Sequence, residues 1–176
     1  MKQKLKKIKM VLFDVDGVLT DGSIVYTDKG TELKSFNIQD GMGITLARKS
    51  GLLTGIITGR LSSMVSRRAE ELKIDTVSQG SFNKLIPYLE ILKKHNLSDE
   101  EICYIGDDIV DMVLLNRVGF SAAVANAREE VKAICDYITV AAGGHGAVRE
   151  VIDLVLKRQG KFDVIIDSIV NLKDNA

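Results

Sequence analysis

A chain of 176 residues, 45% of them apolar, holds enough for one ordinary core and too little for two full domains. Its 24 lysines and arginines balance 24 aspartates and glutamates, which excludes an overall field able to hold a polyanion such as nucleic acid; a bound anion must be held locally. Two cysteines outside any metal-like or redox-like spacing and two isolated histidines supply no soft ligand set for zinc, so oxygen ligands and a hard cation fit better.

The chain opens with five lysines among its first nine residues, followed by an apolar run of only four, Met10–Phe13. That run is too short for export, and no stretch approaches the roughly 18 apolar residues of a membrane span. The lysines therefore read as a solvated tail and the protein is expected in the cytoplasm. Residues 9–13 form the first buried strand. Next come two short β-prone runs, 23–26 and 33–37, separated by the turn composition Thr27-Asp28-Lys29-Gly30, and these predict a β-hairpin occupying about 20–38.

Beyond the hairpin, segments of helical period (40–49, 63–72, 84–94, 108–117 and 147–157) alternate with buried β-rich runs (53–57, 102–105 and 120–124). Alternation of this kind predicts a doubly wound α/β fold, a parallel sheet with helices on both faces. Residues after Leu156 are weakly patterned and read as a mobile tail over about 158–176.

Chemistry-bearing residues gather at predicted strand ends. Asp14 and Asp16 directly follow the first strand, where period-two alternation sends both side chains the same way. Two carboxylates there repel, so a divalent metal or a shared proton is expected. Gly106-Asp107-Asp108-Ile109-Val110-Asp111 follows the strand at 102–105, although Asp108 or Asp111 is also explained as a helix cap. Thr58-Gly59 ends the strand at 53–57 with a hydroxyl and an unhindered amide suited to phosphate. Lys84 starts a helix, where a cation opposes the dipole unless it faces an anion or carboxylates.

Taken in order, Asp14-Val15-Asp16-Gly17, Thr58-Gly59, Lys84 and Gly106-Asp107-Asp108 resemble the four motifs of the haloacid dehalogenase superfamily over nearly the whole chain. The resemblance implies a Rossmann-like phosphatase domain over residues 1–176. In it Asp14 is the nucleophile, Asp16 is the general acid and base, and Thr58 and Lys84 hold phosphoryl oxygens. Magnesium is held by Asp14, the main-chain carbonyl of Asp16 and Asp107, with Asp108 and Asp111 ordering its surroundings.

The superfamily's usual large cap is replaced here by the small hairpin. Leu19-Thr20-Asp21-Gly22, Phe36-Asn37-Ile38-Gln39-Asp40-Gly41, Thr58-Gly59-Arg60 and Gly143-Gly144-His145-Gly146 look like the 3-deoxy-D-manno-octulosonate 8-phosphate phosphatases, small enzymes that assemble as tetramers through the hairpin. That subgroup implies a role in lipopolysaccharide inner-core synthesis, and a substrate pocket lined by Asp16, Asn37, Ile38, Gln39, Asp40, Gly41, Thr58, Gly59 and Lys84. Arg60 and Arg68 would supply forked donors for the substrate's anions; Arg68 is equally read as a solvated helix position.

Three rivals are weighed, of which a non-catalytic assembly module that kept the fold and tetramer is disfavoured by the intact motif set. A phosphatase of nine-carbon sugar acid 9-phosphates tends to carry glutamate where Arg60 stands. A phosphoacceptor receiver domain shares the aspartates, threonine, lysine and magnesium, but gains nothing from Asp16 two residues after the acceptor.

Overall fold

Four consecutive buried residues form the first strand, β1 (Met10–Phe13), a pattern only a strand covered on both faces can sustain. The computed structural model describes residues 2–171. It places β1 inside a six-stranded parallel sheet with β4 (Leu53–Ile57), β5 (Thr76–Ser78), β6 (Ile102–Gly106), β7 (Phe120–Ala123) and β8 (Tyr137–Ile138), in the order β5-β4-β1-β6-β7-β8. The chain runs outward from β1 through β4 to β5, then crosses to β6 on the other side. The carboxyl ends of β1 and β6 are therefore the switch point, where a doubly wound sheet opens a crevice.

The flanking helices are α1 (Lys2–Lys7), α2 (Ile38–Lys49), α3 (Ser63–Glu71), α4 (Leu85–His95), α5 (Met112–Leu115), α6 (Glu129–Lys132), α7 (Ala147–Arg158) and α8 (Phe162–Val170). Among the described residues, none is long and apolar enough to cross a membrane. α7 buries Ala147, Val148, Val151, Ile152, Val155 and Leu156 along one stripe, and each larger aliphatic among them contributes roughly 1.5–3 kcal/mol of transfer free energy. It packs against α2, and Gly43 permits the approach, since a Cβ there would sit 3.0 Å from the Arg149 Cα.

The hairpin is present but shorter than its propensity predicts: β2 (Val25–Tyr26) pairs antiparallel with β3 (Glu32–Leu33). Two strands escape the sequence reading. β5 and β8 hold only three and two residues, too few for a period to show. The segment expected as one helix over 108–117 is a 3₁₀ turn, Ile109–Asp111, followed by the short α5.

Both chain ends depart from expectation. The lysine-rich start is a helix because Leu5, wholly buried, anchors it to the core, with Lys4 paired to Asp136 and Lys7 to Glu100 at 2.6 Å each. Gln159 fastens it further by donating to the Leu5 and Ile8 carbonyls. The segment read as a tail from about 158 forms α8, which buries Ile165; residues 172–176 lie outside the described residues.

Candidate active site

Phe13 and Ile105 are partners in the ladder between β1 and β6, so the chain leaves both strands side by side. Asp14 continues that ladder by donating its amide to the Ile105 carbonyl at 3.1 Å. Across this junction Asp14, Asp107 and Asp111 each offer a carboxylate oxygen, all within 4.8 Å of one another. Among the described residues the one ammonium between them is Lys84, 1 % exposed, which reaches Asp14 Oδ2 at 2.7 Å and Asp111 Oδ1 at 2.6 Å.

One positive charge cannot balance three negative ones in so dry a place. Burial pushes the Asp14 carboxyl up to about 6, against the downward pull of Lys84 and with Asp111 adding to the rise. Burial, then the charges of Asp111 and Asp14, push Asp107 up to about 8. Lys84 is depressed by burial, but Asp111 and Asp14 outweigh that and raise it overall. Asp107 Oδ1 is buried and meets no hydrogen-bond donor among the described residues.

An orphaned carboxylate oxygen in an acidic cluster fits a small, hard divalent cation. Gly17 shapes the same cradle: it sits at φ +85°, and a side chain there would overlap the Asp107 carboxylate.

This crowding predicts a pH-dependent response to metal. Asp107 ionises at 3.8 when unconstrained and at about 8 in the fold, so the metal-free protein loses stability as pH rises across that window. A bound cation removes the penalty. Adding magnesium to metal-stripped protein should therefore raise Tm, and by more at pH 8 than at pH 6; an equal or reversed effect would count against the site.

The neighbouring side chains are placed by backbone geometry. Asp111, fully buried, accepts from the Asp107 and Asp108 amides at 3.0 and 3.2 Å through Oδ2, and from the Tyr104 hydroxyl at 2.6 Å through Oδ1. Asp108, expected beside the metal, is exposed and accepts from the Ile109 amide, capping the 3₁₀ turn instead. The turn's tight winding carries Asp111 inward in its place. Lys84 also differs from the expected open donor to phosphate: it donates to Asp111 and, at 3.2 Å, to Tyr104, and is ion-paired with Asp14.

At the end of β4, Thr58 donates its amide to Ser78 and accepts from the Ser81 amide, so its hydroxyl is the group it has left to offer an anion. Gly59 faces open space. Arg60 pairs through Nη2 with Glu32 at 2.9 Å, while its Nη1 is buried without a partner among the described residues. Asp16, outside the carboxylate cluster, pairs with Lys34, which also reaches Glu32 at 3.4 Å. Sequence reasoning missed Lys34 and Glu32 because a lysine and a glutamate in a hairpin read as solvated residues.

The 37–41 segment divides in two. Asn37 caps α2 through the Gln39 amide and donates to the Gly144 carbonyl at 3.2 Å, and with Ile38, Gln39 and His145 it borders a cleft of about 660 Å³. Asp40 differs from its expected place on the substrate. Its buried carboxylate accepts from the Gly146 and Arg149 amides at 3.2 and 2.9 Å, capping α7, as a carboxylate at a helix N-terminus does. Gly41 lies under the Arg68 guanidinium, whose Nη1 also pairs with Glu71 at 3.3 Å. The glycine loop braces the loop after β1, Gly144 donating to the Val18 carbonyl at 2.9 Å and Gly143 leaving no room for a side chain beside the Gly17 carbonyl.

Comparison with known proteins agrees with this geometry. Residues 74–152 match the haloacid dehalogenase-like hydrolase family. The chain is 45% identical over 160 residues to the 3-deoxy-D-manno-octulosonate 8-phosphate phosphatase of Escherichia coli K12, covering 91% of this chain and 85% of that one. It is 41% identical over 161 residues to the Yersinia pestis enzyme of the same name, with 92% and 86% covered. The crystal structure of the Moraxella catarrhalis phosphatase of that name, in complex with magnesium ion, phosphate ion and a KDO molecule, is similar at TM-score 0.93 and 45% identity over 96% of this chain and 97% of that one. The cobalt-bound Haemophilus influenzae phosphatase is similar at TM-score 0.91 and 38% identity, over 97% and 100%.

Proposed function

The chain belongs to the haloacid dehalogenase-like hydrolases, in the family of the 3-deoxy-D-manno-octulosonate 8-phosphate phosphatases, and on that premise we propose that it hydrolyses this eight-carbon sugar acid phosphate through an aspartyl-phosphate on Asp14. Asp14 attacks phosphorus as the bond to the sugar oxygen breaks, and Asp16 protonates that departing oxygen. Asp16 then takes a proton from the water that attacks the aspartyl-phosphate, and inorganic phosphate leaves with the Asp14 carboxylate restored. Magnesium, held by Asp14, the Asp16 carbonyl and Asp107, supplies charge that offsets the repulsion between an anionic nucleophile and an anionic phosphate.

Lys84 holds the Asp14 carboxylate in place and lowers the negative charge that a phosphate meets, and the Thr58 hydroxyl with the Gly59 amide holds phosphoryl oxygens. Arg60, whose side chain stays partly exposed beside Glu32, takes the substrate's carboxylate. Asn37, Ile38, Gln39 and Gly41 border the sugar, with Arg68 over Gly41; Asp40 acts on the pocket by fixing the start of α7. Asp108 acts only through its turn.

Ile24, Val25, Tyr26 and Leu33 are all exposed on the hairpin. An apolar patch of that kind on a lone chain supports assembly of four copies through the hairpin. A cytoplasmic setting, where free thiols such as Cys103 and Cys135 persist, belongs to the same reading, as does action of residues 1–176 as one phosphatase unit.

The observation that carries the proposal is the gathering of Asp14, Asp107 and Asp111 around a buried Lys84, with one carboxylate oxygen left unpaired. Magnesium-dependent phosphate release from a panel of phosphorylated sugar acids tests it. The eight-carbon 8-phosphate should be the preferred substrate, and a preference for a nine-carbon 9-phosphate would overturn the assignment. Sedimentation equilibrium on the same preparation should give four copies; a monomer would remove the hairpin assembly.

A further inference from the structure

Lysine is among the residues least often buried, yet the Lys34 side chain is 2 % exposed and sits between two carboxylates. One belongs to Asp16, 18 residues earlier in the chain, and the other to Glu32, two residues before it. Extended backbone around β3 puts residues 32 and 34 on one side of the strand, so a single face of the hairpin carries both charges. Glu32 is in turn paired with Arg60. The result is a row of alternating charges, Asp16, Lys34, Glu32 and Arg60, running from the first strand's loop across the hairpin to the fourth strand's loop.

Fold stability alone is a poor reason for this arrangement, because the desolvation of a buried ion pair consumes most of its Coulombic gain. Its geometric effect is specific. Lys34 takes Asp16 Oδ1, and among the described residues no donor takes Oδ2. Glu32 takes Arg60 Nη2, while Nη1 is buried and has no hydrogen-bond partner among the described residues. Asp16 is thus held through one carboxylate oxygen and left open at the other, while Arg60, held by Glu32, keeps 37 % of its side chain exposed.

We propose that Lys34 and Glu32 are positioning residues for this reaction: Lys34 fixes the proton-transferring carboxylate of Asp16, and Glu32 fixes the guanidinium of Arg60 that receives the substrate's carboxylate. The hairpin aligns the two ends of the site from within the same chain. This rests on the phosphatase reading above.

The test compares two esters in Lys34→Met. Release of the sugar alkoxide from the eight-carbon 8-phosphate requires a proton, whereas p-nitrophenolate departs without one. kcat/KM for each ester reports the steps up to departure of that group. Lys34→Met should lower kcat/KM for the sugar phosphate about a hundredfold, the scale of a misplaced catalytic group, and for p-nitrophenyl phosphate less than about threefold. Glu32→Gln should raise KM for the sugar acid phosphate about tenfold while leaving KM for p-nitrophenyl phosphate, which has no carboxylate, unchanged.

Equal losses on both esters, or no loss on the sugar phosphate, would overturn the proposal. Lys34→Gln, which keeps one donor, replaces Lys34→Met should that variant not fold, and the same comparison decides. A wild-type enzyme active on p-nitrophenyl phosphate and on no sugar phosphate would refute the substrate assignment before any variant is made, and the positioning proposal would fall with it.

Discussion

Asp14→Asn is expected to lower turnover by a factor on the order of 10⁴ or more, since the amide keeps the carboxylate's shape but cannot attack phosphorus or form the acyl phosphate. Steady-state phosphate release at saturating magnesium measures it, and turnover near the wild-type rate would eliminate Asp14 as nucleophile. The same variant carries a stability signature of opposite sign. Asp14 ionises at about 6 in the fold against 3.8 when unconstrained, so its contribution to stability is present below pH 3.8 and lost as pH rises through about 6.

A neutral amide escapes that loss while Lys84 keeps Asp111 as its partner. Metal-stripped Asp14→Asn should therefore melt above metal-stripped wild type at pH 8, with the gap closing toward pH 5. A protein that gains stability when its nucleophile is disarmed holds strain in the reaction centre.

The second large effect falls on Asp111, which is wholly buried. Its carboxylate joins Lys84, Tyr104 and the amides of Asp107 and Asp108, all within 3.2 Å. Asp111→Ala leaves Lys84 with Asp14 as its one carboxylate partner, leaves the Tyr104 O–H without its acceptor and frees the amides of Asp107 and Asp108. Breaking a buried charge pair from one side costs about 3–5 kcal/mol, which in a chain of this size lowers Tm by roughly 6–20 °C. Thermal unfolding followed by circular dichroism measures the fall. A variant melting within a degree of wild type would mean that water replaces the carboxylate without cost, and that Asp111 does not hold the site together.

Asp111→Asn separates the two functions of that residue. The amide keeps the shape and one acceptor, so more of the fold survives, but Lys84 loses a full negative partner. Its ammonium is held above the ordinary lysine range against burial by Asp111 and Asp14 together, and with one of them neutral that support weakens.

Local information sufficed for the frame. Alternating short apolar runs and helical periods determine a parallel sheet, because a strand buried on both faces and a one-sided helix each leave a period in the chain. Acidic and hydroxyl residues directly after such runs must then emerge at one edge of the sheet, whatever the loops do. Asp14, Thr58 and Asp107 were legible for that reason.

Other placements depend on contacts between residues far apart in the chain, which no local period records. Asp108 and Asp111 are equally acidic neighbours, and only the winding of the turn Ile109–Asp111 decides which enters the cluster. Lys84 reads as a free cation until the fold surrounds it with Asp14, Asp111 and Tyr104. Lys34 reads as a surface lysine until the hairpin settles on Asp16, and the lysine-rich start becomes α1 because Leu5 meets a core built elsewhere. Composition and spacing determined which groups stand at the edge of the sheet; the packed chain decided which of their atoms are already engaged and which are left for chemistry, because burial and hydrogen-bond partners exist only after distant segments meet.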